Sequence, residues 1–325
     1  MILKQITDNG RLVFLDIAKG FLIYLVVLGH LPSDNPLYHR YIFWFHMPVF
    51  LMISGIFLKS KSDFKTEISK KIKRLLIPYF FFSLILGTIG RSGDFIKQAL
   101  GTIWGGYGNV TIYTFPYYFI VVLFGSVCLW YSINNLKVNN LCKWAIAIVL
   151  YSIFHVLSLL VPHAFLERIP WNLDMSLNAL LYLMLGKYIV KKKLYNNIKW
   201  VFGSIFIVVL FYIFDYKGIY KYDFDLKYHN WTFLLDIIIP VSCMLLLFSI
   251  SRLLSKIPYI SSLISYIGKG SLTVLLLHPL FIKIYQNVFS DTNLFLLSFI
   301  NVLSCMFVYY LLCKNKYSRY VIGEK

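Results

Sequence analysis

Charge is scarce in this sequence: Asp, Glu, Lys and Arg make up 14% of its 325 residues, where soluble domains carry about 25%. Acidic side chains are rarest, 14 against 32 Lys and Arg. Cysteine is confined to Cys128, Cys142, Cys243, Cys305 and Cys313, with no CxxC pair and no Cys/His cluster at metal-ligand spacing. These read as small apolar packing residues, and no metal site is expected. Gly-rich phosphate loops, GxSxG, HExxH and dinucleotide fingerprints are missing. So are low-complexity tracts and any visible inverted repeat of the transporter kind. Together these absences exclude a disulfide scaffold, a disordered chain and an ordinary soluble domain.

What fills the space is apolar. Hydrophobic residues reach 59%, and the mean hydropathy is +0.69. A membrane-crossing helix needs about 20 apolar residues, so ten of them use about 200 and leave room only for short loops. Ten spans are read: Leu12–Leu31, Tyr41–Leu58, Leu75–Gly90, Pro116–Ile133, Trp144–Val161, Trp171–Val190, Ile198–Phe214, Trp231–Ile250, Gly268–Ile284 and Leu294–Cys313. The segment Ile96–Tyr113 reads as interfacial or re-entrant, and the glycine-rich stretch Gly101–Gly108 as an outer loop. The expected fold is therefore an all-α polytopic membrane protein of about ten transmembrane helices. It forms one membrane domain over residues 1–325, with spans from about 12 to 313 and no soluble accessory domain. The first apolar run carries Asp16 and Lys19 and has no small-residue cleavage site, so it is expected as a mature helix and not a removable signal.

The net charge of +18 reports topology better than nucleic-acid binding, because Lys and Arg concentrate in cytoplasmic loops. The N-terminal tail, the even-numbered loops and the C-terminal tail hold most of the cations, above all Lys59–Arg74 and Lys187–Lys199. Both termini are thus expected in the cytoplasm. Tyr41, Trp44, Trp171 and Trp231 near span ends fit an interfacial aromatic belt.

An ionisable group inside a bilayer costs at least about 2.5–3.5 kcal/mol, so each one is a functional candidate. Span 1 has three: Asp16, Lys19 and His30. At about 100° per residue they fall within a sector of about 60° on one helix face. Asp16 and Lys19 are i,i+3 neighbours able to neutralise each other. Alone they read as a structural ion pair; with His30 on the same stripe, the wall of a polar cavity is preferred. His30 lies roughly 27 Å along the helix, toward the outer face. It is the best general-base candidate, since neutral imidazole takes a proton from a hydroxyl near physiological pH.

Other polar residues stay open between two readings. His46 opens span 2 and is placed at the same cavity. His278 precedes Pro279, where a broken helix leaves carbonyls to satisfy. Asp174 with Asn178, and Asp236 before Pro240, either line the cavity or hydrogen-bond between helices. His155 reads as a core histidine. The cluster Lys70-Lys71-Ile72-Lys73-Arg74 is either a topology signal or a phosphate grip, since Lys70 and Arg74 at i,i+4 share an α-helical face and Arg can fork two phosphate oxygens.

Three motifs then become familiar. They are Arg11-x4-Asp16-Ile17-Ala18-Lys19-Gly20 followed by Val26-Val27-Leu28-Gly29-His30; Phe45-His46-Met47-Pro48-Val49-Phe50 with Ser54-Gly55; and Lys73-Arg74-Leu75-Leu76-Ile77-Pro78-Tyr79. Weaker echoes follow in Phe115–Phe119, in Pro170-Trp171 with Asp174 and Gly186, and from Ile267-Gly268-Lys269 to Leu277-His278-Pro279. In order and in content they resemble the acyltransferase-3 family of integral membrane acyltransferases, with the closest look to its short, fucose 4-O-acetylase-like members.

The resemblance implies transfer of an acyl group, usually acetyl from acetyl-CoA, to a hydroxyl of a surface glycan or lipid-linked sugar. It implies a multi-pass protein of a bacterial plasma membrane, with acyl-CoA as donor substrate and no permanently bound cofactor. His30 falls on the family's catalytic histidine, and Asp16 and Lys19 on its acidic and following basic residue. Lys70 and Arg74 fall on its basic pair, which with Lys73 is expected to hold the CoA phosphates. His46, Asp174 and His278 are expected to bind substrate. Lys19 and Lys70 stand where many longer members have arginine, and Lys cannot make the same bidentate fork. His30 would act as base or as a transient acyl carrier. The competing reading is a proton-coupled transporter or flippase for a glycan or lipid-linked sugar, with Asp16, Lys19 and His30 as its relay.

Overall fold

A computed structural model describes residues 12–32, 36–60, 63–105, 109–222, 224, 232–286 and 293–324. Arg11, residues 106–108 of the glycine-rich stretch and Trp231 lie outside the described residues. The chain is all α. Its helices are α1 (Val13–His30), α2 (Pro36–Phe43), α3 (His46–Ile56), α4 (Phe64–Lys71), α5 (Ile77–Gly90), α6 (Phe95–Trp104), α7 (Tyr118–Asn134), α8 (Asn140–Leu160), α9 (His163–Leu166), α10 (Leu173–Lys191), α11 (Ile198–Tyr216), α12 (Leu235–Leu254), α13 (Pro258–Lys269), α14 (Ser271–Gln286), α15 (Leu294–Cys313) and α16 (Lys316–Val321).

Among the described residues, eight continuous helical stretches are long and apolar enough to cross a membrane, or nine if a bent pair counts as one span. The protein is a multi-pass membrane protein. Its spans depart from the ten expected in three places, each with a physical cause. The expected second span is broken into α2 and α3 at Trp44-Phe45. Pro48 has no N–H to return to the Trp44 carbonyl, so one continuous helix is interrupted there. The expected third span is longer than read: α4, a π-helical turn over Ile72–Leu76 and α5 run on as one stretch from Phe64 to Gly90. The expected ninth is the bent pair, α13 and α14, meeting at 74° around Gly270. Gly101 also belongs to α6 and not to a loop.

The chain divides into two compact units interleaved in sequence, Met1–Phe57 with Met184–Ser271, and Leu58–Leu183 with Leu272–Lys325. The first is built on α1, 67% of which is buried. That burial is what lets a helix with Asp16 and Lys19 exist in a membrane, because its charges face protein and not lipid. Helix α13 crosses α1 at backbone contact. A Cβ on Gly20 would overlap the Ile264 carbonyl, and one on Gly268 would overlap the carbonyl of Asp16. Small residues at crossings are how membrane helices gain close packing. Phe14 of α1 also meets Tyr195 and Phe248, with ring centroids 5.1 and 5.6 Å away. Helix α11 is the opposite case, only 11% buried, with Ile198, Phe202, Phe206 and Val209 exposed as a lipid-facing surface.

In the second unit the amphipathic α6 explains the segment read as interfacial. Ile96, Leu100 and Ile103 are exposed, whereas Gln98 and Thr102 are fully buried. Gln98 Nε2 donates to the Ser83 carbonyl at 3.0 Å and to Thr102 Oγ1 at 3.2 Å. It also meets Asn109, which contacts Ser83 and donates to the Tyr79 hydroxyl. A closed network of this kind satisfies buried polar groups and ties α6 to α5.

Candidate functional site

In the first unit, Lys19 Nζ lies 2.7 Å from Asp16 Oδ1, with the lysine side chain 18% exposed and the carboxylate 3%. The same ammonium is 5.7 Å from the centre of the Phe57 ring. Eleven residues separate Lys19 from His30, roughly 16 Å along α1. The ion pair and the histidine therefore share a stripe but not a contact.

His30 closes α1, and its neighbour is His46. Their ring centroids are 6.3 Å apart with the planes at 89°. Phe43 lies edge-on to both, at 5.6 and 4.7 Å. The break between α2 and α3 creates this arrangement, since it puts His46 at a helix start. His46 Nδ1 is 3.0 Å from the Ile42 carbonyl. A carbonyl only accepts, so Nδ1 carries the proton and Nε2 presents a lone pair. His39 Nδ1 contacts the Gly29 carbonyl and ties α2 to the end of α1. The pair is thus braced from both sides.

Sequence reasoning missed a second polar group in this unit. Arg40 lies 2.6 Å from the fully buried carboxylate of Asp215, which also accepts from the Tyr41 hydroxyl at 2.9 Å. Nothing local signals a partner 175 residues away. Asp236 accepts from Tyr222 and Thr232 at 3.0 and 3.1 Å, which favours the structural of its two readings.

In the second unit, the basic cluster straddles the junction of α4 with the π turn. Asp63 caps α4 by accepting from the Thr66 N–H at 2.9 Å; that bond holds its carboxyl below the usual carboxylate range. Lys70 Nζ is 2.6 Å from Glu67 Oε1, and the Tyr131 hydroxyl braces the other oxygen of that buried carboxylate at 3.4 Å. Lys73 and Arg74 lie in the π turn, both exposed. Among the described residues neither has an ion-pair partner. The π turn bonds i to i+5, and Lys70 in α4 and Arg74 in the turn stay about one turn apart. The Glu67/Lys70 spacing, i,i+3, is the signal that would have found the pairing.

The other expected residues of this unit are buried. Asp174 and Asn178 lie one turn apart on α10, with Asn172 just before it. His278 is fully buried in α14, with Nδ1 3.0 Å from the Val274 carbonyl. Two carbonyls beside Pro279 take additional side-chain donors. Asn301 donates to the His278 oxygen at 3.1 Å, and Tyr117 to that of Leu276 at 2.6 Å. His155 makes the same contact with the carbonyl four residues back, at 3.0 Å to Tyr151.

With this geometry in place, comparison with known proteins decides the family. The acyltransferase-3 family model, described as an acyltransferase domain, matches residues 12–313. The chain belongs to the acyltransferase-3 family. The match runs through both units. Two curated relatives are each called Nodulation protein NolL. The one from Sinorhizobium fredii (strain NBRC 101917 / NGR234) is 31% identical over 121 residues, 30% of this chain and 33% of its own. The one from Mesorhizobium japonicum is 34% identical over 109 residues, 29% of this chain and 28% of its own. The chain is thus matched over about a third of the length of these relatives. No solved structure matches it significantly.

Proposed function

We propose that this acyltransferase moves an acyl group, acetyl in the simplest case, from acyl-CoA to a hydroxyl of a surface glycan or lipid-linked sugar in a bacterial plasma membrane. The observation that carries this reading is the His30–His46 pair at the end of α1, in a chain whose family match covers both histidines. His30 takes the proton of the acceptor hydroxyl. The hydroxyl oxygen attacks the thioester carbonyl carbon, the carbon–sulfur bond breaks, and the CoA thiolate recovers the proton from the imidazolium. The products are an ester and free CoA. His46, with its proton fixed on Nδ1, orients the acceptor through Nε2. Lys73 and Arg74 hold the CoA phosphates, Arg74 through its bidentate fork. Asp16 and Lys19 keep the buried face of α1 polar and locally neutral. Asp174 and His278 contribute to acceptor binding.

The test is donor binding, because it requires no knowledge of the acceptor. Acetyl-CoA at 100 times its dissociation constant stabilises a protein by about 2.7 kcal/mol. A thermal shift in the purified wild type, lost in Arg74→Ala at unchanged unliganded stability, is the expected result. No shift with acetyl-CoA or any other acyl-CoA, in protein that unfolds cooperatively, overturns the reading.

A further inference from the structure

Buried polar groups are almost always hydrogen-bonded, and each exception calls for an explanation. Asn172 is such an exception. Its side chain is fully buried, yet among the described residues neither the amide nitrogen nor the amide oxygen has a hydrogen-bond partner. It ends the single 3-10 turn Pro170–Asn172 that leads into α10.

The backbone there is a second, independent exception. Trp171 and Asn172 both lie in the left-handed region, at φ 56° and 49°. Asparagine tolerates that conformation; a tryptophan does so only when its surroundings force it. The surroundings are visible. The Trp171 indole N–H donates to the Ile103 carbonyl at 2.8 Å. Phe80 and Phe124 hold the ring from centroid distances of 6.4 and 6.1 Å. Gly105, at φ 72°, leaves room where a Cβ would come 3.0 Å from the indole Cδ1. Non-glycine residues held this way cluster at ligand clamps and switch regions.

An amide that offers one acceptor and two donors, beside a fixed aromatic ring, matches a pyranose. Two adjacent ring hydroxyls answer the amide oxygen and nitrogen, and the apolar ring face answers the indole. We propose that Asn172 and Trp171 form a hydroxyl-recognising site within the second unit, taking a pyranose through a pair of neighbouring hydroxyls. This rests on the glycan-acceptor reading above. The amide is closed to solvent, so entry requires the turn to open, and leaving the left-handed region relieves the strain at Trp171. Asp174 and Asn178 follow on α10, both buried, and continue the polar lining.

The experiment uses the full chain in lipid nanodiscs prepared without glycoside detergents. The probes are the methyl glycosides of glucose, galactose and mannose, with tetrahydropyran as a hydroxyl-free control. Thermal unfolding and tryptophan fluorescence report binding, and acetyl-CoA is titrated in parallel. Asn172→Gly deletes the amide and keeps the left-handed backbone; Asn172→Asp keeps an oxygen and loses the donors. At least one pyranoside is expected to protect the wild type, with the dissociation constant raised about ten-fold or more in both variants, a lost hydrogen-bonded pair. Protection by acetyl-CoA is expected to stay unchanged. The assignment is overturned if no pyranoside protects the wild type, if tetrahydropyran protects equally, or if both variants keep the sugar response. Failure of the pyranosides alone removes only this assignment, whereas failure of acetyl-CoA as well removes the acyl-CoA reading beneath it.

Discussion

Lys70 is held 2.6 Å from Glu67, a carboxylate that is itself buried, while Arg74, four residues later, is exposed with no ion-pair partner among the described residues. The two cations therefore have different work. Lys70 neutralises a buried carboxylate; Arg74 and Lys73 are left to meet an external anion. A charged hydrogen bond contributes about 1.5–3 kcal/mol, so Arg74→Ala is expected to weaken acetyl-CoA binding roughly ten-fold to a hundred-fold. Lys70→Ala is expected to lower the unfolding temperature and change donor affinity by less than about three-fold, because its main partner is Glu67. Isothermal titration of the two variants against acetyl-CoA separates these outcomes, and equal losses would refute the division of labour.

The histidine pair leads to a second expectation. If His30 is the base, His30→Ala lowers the rate of acyl transfer by about a hundred-fold to ten-thousand-fold and leaves acetyl-CoA binding intact. His46→Gln supplies an acceptor oxygen near the place of Nε2 and is expected to lose far less. Single-turnover transfer from radiolabelled acetyl-CoA in membranes measures both. A normal rate in His30→Ala, with the protein folded and donor bound, excludes the assignment.

How legible all this was in the sequence follows from where each signal resides. Asp16 and Lys19 stand out because they interrupt an apolar run, and their i,i+3 spacing already implies the ion pair found at 2.7 Å. The helical class and the long spans were legible for the same reason: backbone in lipid must satisfy itself, and an apolar stretch of sufficient length has few alternatives. Breaks were less so. Pro48 and Gly270 are visible as residues, but whether a span kinks, splits or bends by 74° depends on what packs against it. Least legible were Asn172 and the Arg40–Asp215 pair. The left-handed turn exists because Ile103, Phe80, Phe124 and Gly105 surround one indole, and that is a tertiary fact with no local spacing to announce it.

The crossing of α1 and α13 sets a third expectation. Gly268 lies against the carbonyl of Asp16, with no room for a Cβ. Backbone cannot yield as a side-chain tip does, so Gly268→Ala forces the helices apart. Overpacking of this kind costs about 1–3 kcal/mol. The unfolding temperature is expected to fall, and more steeply for Gly268→Val. An alanine variant with wild-type stability would show that the contact at Asp16 is looser than described. Gly203, whose Cβ would meet nothing within 4 Å, is the control, and Gly203→Ala is expected to hold or slightly raise stability in the helix.

The C-terminal segment gives the last expectation, and it concerns how Arg74 is positioned. Gly323 sits at φ 72°, against the Arg74 carbonyl, just beyond α16. Glu324 next to it accepts from the Tyr309 hydroxyl of α15 at 3.3 Å. The π turn carrying Arg74 is thus backed by a segment anchored to another helix. A side chain on Gly323 is strained by its φ and also pushes on the Arg74 backbone. Gly323→Ala is therefore expected to weaken acetyl-CoA binding several-fold, with a smaller loss of stability than Gly268→Ala because Gly323 is only half-buried. Donor titration and thermal unfolding of the same preparation test it together. If stability and donor affinity fall in the proportion seen for Gly268→Ala, Gly323 is merely a packing residue. If donor affinity falls alone, the tail sets the position of the guanidinium.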